Sequence, residues 1–87
     1  MDTRARIAWN LRNIRVSQKV TQENLAVDAQ VDRTVISDLE RGKHNASIDL
    51  MDRLAAALSI DISAFFSEPS QSEGKPEPMR AGRKPKA

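Results

Sequence analysis

The chain predicts an all-α fold of five short helices, and three observations carry that expectation. Apolar residues recur every three or four positions, no proline occurs before residue 69, and a residue able to cap a helix precedes each apolar run. In the first segment the stripe is Ile7, Leu11 and Ile14, opened by Thr3 or Asp2. The second carries Leu25, Ala26 and Ala29 behind Thr21, and the third carries Ile36 and Leu39 behind Asp32. Met51, Leu54, Ala55 and Leu58 follow Ser47, and a last short run follows Asp61. Each cap offers a side-chain oxygen to a backbone N–H that the first helical turn leaves without a partner. The predicted helices span 4–17, 22–29, 33–40, 48–58 and 62–66.

Composition limits the rest. Eighty-seven residues that are 39% hydrophobic fill one small core and not two, so residues 1–66 are read as one domain. Residues 67–87 hold all four prolines, two of the three glycines and a single large apolar residue, Met79. Such a segment cannot offset its ordering entropy and is expected to be a disordered tail. The absence of cysteine excludes a disulfide framework and a thiolate metal site and fits a reducing, cytoplasmic compartment. The charged start "MDTRARIAWN" lacks the apolar core of a signal peptide, and apolar runs are as short as "LAAAL", so neither export nor membrane insertion is expected. Serines are plentiful, but no base and orienting group accompany them, so no enzymatic activity is expected. His44 is the only histidine and has no cysteine partners, which argues against a metal.

Net charge is +2, yet residues 1–66 balance nine Lys and Arg against nine Asp and Glu, while residues 67–87 hold five against three. Nucleic-acid binding therefore has to be argued from where the charges sit. The stretch "TQENLAVDAQVDRTVISDLERG" supplies that argument. It places two helices of about two turns each on either side of a link at 30–32, and neither is stable alone, so they must cross and share a core. With Ile36 and Leu39 turned inward, the third helix presents Arg33, Thr34, Ser37 and Asp38 outward. These are a bidentate donor, two hydroxyls and an acceptor: a guanidinium matches guanine O6 and N7, and a threonine methyl or hydroxyl meets a thymine methyl or a polar base edge. The competing reading of those four residues is the solvated face of a short helix.

Three pieces together, "TQENLA", "VDRTVISDLERGKHNAS" and "LAAALSIDISAFF", resemble the phage repressor and Cro-like (Xre) helix-turn-helix family across about residues 4–66. The "DRT-IS--ERGKHN" core is similar to the restriction-modification controller subgroup. The resemblance implies a compact, lambda-repressor-like five-helix domain whose third helix enters the major groove, with Arg33 and Thr34 first on the base edges and Ser37 and Asp38 behind them. It further implies phosphate contacts from Gln22, Lys43, His44 and Asn45, and a structural pair between Arg15 and Glu40. The family commonly has glycine where this chain has Lys19, Gln30 and Ser59, and proline where it has Ala46. A left-handed conformation kept at those three sites costs about 1 kcal/mol each.

Leu50, Ile60, Ile62, Phe65 and Phe66 give more apolar surface than so small a domain easily hides, and the resembling family pairs through this end. The expected partners are thus a second copy of the chain and a near-palindromic double-stranded DNA operator, with no cofactor and no small-molecule ligand. An antitoxin of the same fold that binds a toxin and its own promoter is an alternative. So is a helical interaction module that never touches DNA. Trp9 lies partly off the stripe of Ile7, Leu11 and Ile14, as rim cover for the core or as part of a partner surface. The tail end "RAGRKPKA" resembles an imperfect AT-hook, against the reading of a nonspecific basic tail.

Overall fold

The computed structural model describes residues 2–68. Four α-helices and a closing 3₁₀ turn follow one another: α1 Thr3–Ser17, α2 Gln22–Ala29, α3 Arg33–Glu40, α4 Ile48–Leu58 and the 3₁₀ helix Ile62–Phe66. The caps explain why each begins where it does. The side chains of Asp2, Thr21, Asp32, Ser47 and Asp61 accept from the backbone N–H of Ala5, Asn24, Thr34, Leu50 and Ser63 respectively. Of the two candidates at the first start, Asp2 is the cap and Thr3 the first helical residue. The carboxyl of Asp61 is held below its ordinary range by its hydrogen bonds with the Ser63 side chain and backbone.

The α-helices share one way of ending. Lys19, Gln30, Ser59 and Gly42 have φ of 61°, 61°, 57° and 71°. In each case the next residue donates back five positions, Val20 to Arg15 O, Val31 to Ala26 O, Ile60 to Ala55 O and Lys43 to Asp38 O, at 2.8–3.0 Å. These are Schellman closures, which satisfy carbonyls that the last helical turn leaves open. After three of them the next residue is apolar, and Val20, Val31 and Ile60 pack against the core. The three non-glycine positions therefore do keep the left-handed conformation.

Leu11, Leu25, Ile36, Leu54, Leu58 and Phe65 are the largest side chains fully buried. Removing each such aliphatic or aromatic group from water contributes roughly 1.5–3 kcal/mol. α2 packs on α3 and α4, while α1 lies against α3 and the 3₁₀ helix. Two side chains of α1 and that of its C-cap, Gln18, fasten the rest. Asn10 Nδ2 donates to Phe65 O at 2.8 Å and Ser67 O at 2.7 Å, Arg6 Nη1 to Phe66 O at 3.3 Å, and Gln18 Nε2 to Leu58 O at 2.8 Å.

Two expectations change. The fifth element is a 3₁₀ helix and not an α-helix, so the domain has four α-helices. Phe65, expected on a dimer surface, is 1% exposed and belongs to the core. With three residues per turn, Ile62 and Phe65 fall on one side and face inward together, which turns Phe66 out. The AT-hook-like stretch and the rest of the tail from residue 69 lie outside the described residues. Among the described residues no helix is long and apolar enough to cross a membrane.

Candidate nucleic-acid interface

α3 is placed by what it buries. Ile36 and Leu39 point into the core and Val35 packs at its edge, which leaves Arg33 and Thr34 exposed at the N-terminal end and Ser37 and Asp38 half-buried beyond them. Asp32 holds the first turn in shape by accepting from Thr34 N at 3.1 Å.

Behind this face runs a line of polar contacts. Arg33 Nη1 reaches Gln22 Oε1 at 3.5 Å, the long limit of a hydrogen bond, and Gln22 Nε2 donates to Glu40 Oε1 at 3.1 Å. Glu40 is gripped from the other side by Arg15, Nε to Oε2 at 2.5 Å and Nη2 to Oε1 at 3.0 Å. The remaining Arg15 nitrogen, Nη1, donates to Val20 O at 2.8 Å. Only 12% of the Arg15 and 5% of the Glu40 side chain is exposed, so this two-pronged pair is an internal strut between α1 and the end of α3. Gln22, expected on phosphate, thus stands between Arg33 and Glu40 at the mouth of α2.

Lys43, His44 and Asn45 lie in the loop that joins α3 to α4, with Lys43 and Asn45 exposed and His44 half-buried. Leu50, Ile60 and Ile62 are half-buried against the core, and Phe66, which borders one crevice with His44 and Asn45, is 43% exposed. Ile48, 74% exposed, borders an apolar crevice together with Phe66.

Sequence reasoning missed several of the working side chains. Arg41, which caps the end of α3 and donates to Asp38 Oδ1 at 2.7 Å, was hidden inside the "ERG" motif. Asn10 was detectable: it falls three residues after Ile7, on the buried stripe of α1, where an amide is out of place unless it has partners. Ile48 carried no signal, because the first residue of a helix has no preceding turn to set its face.

A helix capped by threonine, a left-handed turn at Gln30, and a second capped helix with its polar face outward form one unit, and residues 11–65 match a family model described as helix-turn-helix. The chain belongs to the helix-turn-helix family. The domain's function in this family is DNA binding in the regulation of transcription. Among its relatives is the immunity repressor protein of Bacillus phage phi105, 34% identical over 71% of this chain and 43% of that protein. The control protein C.MunI of a Mycoplasma species is 32% identical over 77% of this chain and 92% of that one. The crystal structure of the restriction-modification controller protein C.AhdI from Aeromonas hydrophila superposes with a TM-score of 0.71 at 32% identity, covering 72% of this helix-turn-helix chain and 96% of that one. This chain therefore spans less than half of the phage repressor and nearly all of C.MunI and of C.AhdI.

Proposed function

We propose that this protein is a transcription regulator that binds a near-palindromic operator as a homodimer, with α3 in the major groove. The observation that carries the reading is the exposed pair Arg33 and Thr34 at the N-terminal end of a helix whose opposite face is locked into the core. Arg33 takes a guanine edge, Thr34 a thymine methyl or polar base edge, and Ser37 and Asp38 stand behind them on the same face. Lys43, His44, Asn45 and the Gln22 end of α2 hold the phosphates on either side. A second copy covers Phe66 with Leu50, Ile60 and Ile62, and sets the two α3 helices about 34 Å apart, one turn of duplex. Relatives named as an immunity repressor and as a restriction-modification controller protein support the regulatory part of this reading.

The test is selection of bound sequences from a random duplex pool, followed by binding of variants to the selected site. Arg33→Ala loses about 1–3 kcal/mol on that site and relaxes one base position, whereas Lys43→Ala weakens all sequences alike and flattens the salt dependence. Equal losses from both variants on every sequence overturn the assignment of base reading to α3.

A further inference from the structure

Where the N-terminal half of α1 crosses the end of α3, the surface opens into a crevice of about 390 Å³ that the base-reading face does not use. Ala5, Ala8, Trp9 and Arg12 line its α1 side, residues three and four apart that form one stripe of the helix. Arg41 and Gly42 line the α3 side, and a Cβ built on Gly42 meets nothing within 4 Å, so the space beside it is open. Small residues make the floor and an indole with two guanidiniums makes the walls.

Charge and exposure distinguish this crevice from the other hollows of the surface. α1 carries four arginines and no acidic residue between Thr3 and Ser17. Arg15 is consumed by Glu40, and among the described residues Arg12 enters no ion pair. Arg41 is held by Asp38 in an exposed pair of neighbours on one helix, an arrangement worth little, and a guanidinium has five donors to share. Two carboxylates also border the crevice. Glu40 is fully occupied by Arg15 and Gln22, and Asp2 is turned to the Ala5 N–H as the cap of α1. Trp9, the sole tryptophan, is 40% exposed here, although nothing in the core requires it to be.

Position points to the occupant. Arg41 follows Arg33 by eight residues, about 12 Å along the helix axis, more than the depth of the major groove, about 8.5 Å. With Arg33 at the base edges, the Arg41 end of α3 stands at the groove wall, where the duplex presents phosphates. We propose that the crevice is a phosphate subsite of duplex DNA, in which Arg12 and Arg41 donate to one backbone phosphate flanking the half-site and Trp9 packs on the adjoining deoxyribose. This rests on the reading of α3 given above and extends the footprint beyond the bases that α3 touches. Polar rim, apolar floor and paired guanidiniums suit a phosphodiester, which offers anionic oxygens and an apolar sugar face side by side.

The full chain is titrated with the selected duplex, using Arg12→Ala, Arg41→Ala, Trp9→Phe and Arg33→Ala, with thermal melting to verify that each variant is folded. Arg12 and Trp9 are exposed, so neither change touches the core. For Arg12→Ala the log–log salt slope falls by about 0.9 per protomer, equivalent to an about eightfold loss between 1 M and 0.1 M salt, and it does so on every sequence. Trp9 emission changes on binding the duplex, and the change disappears when the duplex is trimmed to end at the bases read by α3. Parental affinity and slope in both Arg12→Ala and Arg41→Ala, with Trp9 emission indifferent to duplex, overturn the proposal while Arg33→Ala still loses site preference. If Arg33→Ala keeps its preference, the reading of α3 fails and the proposal fails with it. A Trp9 response to a poly-glutamate peptide and none to duplex assigns the crevice to an acidic protein partner instead, and likewise overturns it.

Discussion

Glu40 accepts hydrogen bonds from Arg15 twice and from Gln22 once, with a twentieth of its side chain in contact with solvent. A carboxylate so enclosed depends on its partners far more than its partners gain from it. Arg15→Met therefore loses about 3–5 kcal/mol, because it strands a buried charge, whereas Arg15→Met with Glu40→Leu regains most of that loss. Urea melts of the two variants decide it. A loss of less than about 1 kcal/mol in the single variant would show that the pair behaves as an exposed one. The same residues extend to the surface: Gln22, which donates to Glu40, also lies 3.5 Å from the Arg33 guanidinium.

At the scale of helices, ends matter more than middles. Four Schellman closures bring every α-helix to a stop, yet only Gly42 among their left-handed residues is free of a Cβ. At Lys19, Gln30 and Ser59 the strain is about 1–2 kcal/mol, against about 0.5–1 kcal/mol of unfolded-chain entropy that glycine adds. Each change to glycine thus raises stability by about 0.5–1 kcal/mol, read as a rise in melting temperature of a few degrees. A fall at any of the three would mean that its side chain does more than tolerate the turn. Helix starts were legible in the sequence because capping is chemistry between near neighbours, and α2, α3 and α4 begin and end at the residues expected. The left-handed ends were legible only by likeness to glycine-bearing relatives, since lysine, glutamine and serine announce nothing of the kind. The closing element was misread because five residues do not separate a period of 3.0 from one of 3.6, and that difference decides whether Phe65 or Phe66 is buried. The outward residues of α3 followed from the two that it buries. Those bordering the Trp9 crevice did not, because the crevice exists only where two helices distant in sequence cross.

For the molecule as a whole, the apolar surface left over is smaller than the composition suggested. Phe65 fills the core, and Phe66 and Ile48 remain as the large apolar groups exposed near the C-terminal end. Phe66→Asp is expected to weaken self-association by at least about tenfold and leave the fold intact, as sedimentation of the variant and parent measures. An unchanged dimer would move the interface elsewhere, whereas Phe65→Asp would unfold the domain and test nothing. The grip of Asn10 on the carbonyls of Phe65 and Ser67 reaches further. It joins the first helix to the closing 3₁₀ helix of the described residues and so closes a loop of more than fifty residues. The clasp forms only when α1 and the 3₁₀ helix have come together. A domain tied in this way shares the fate of its first helix with that of its closing turn, since parting the two gives up both hydrogen bonds at once, each contributing about 0.5–1.5 kcal/mol.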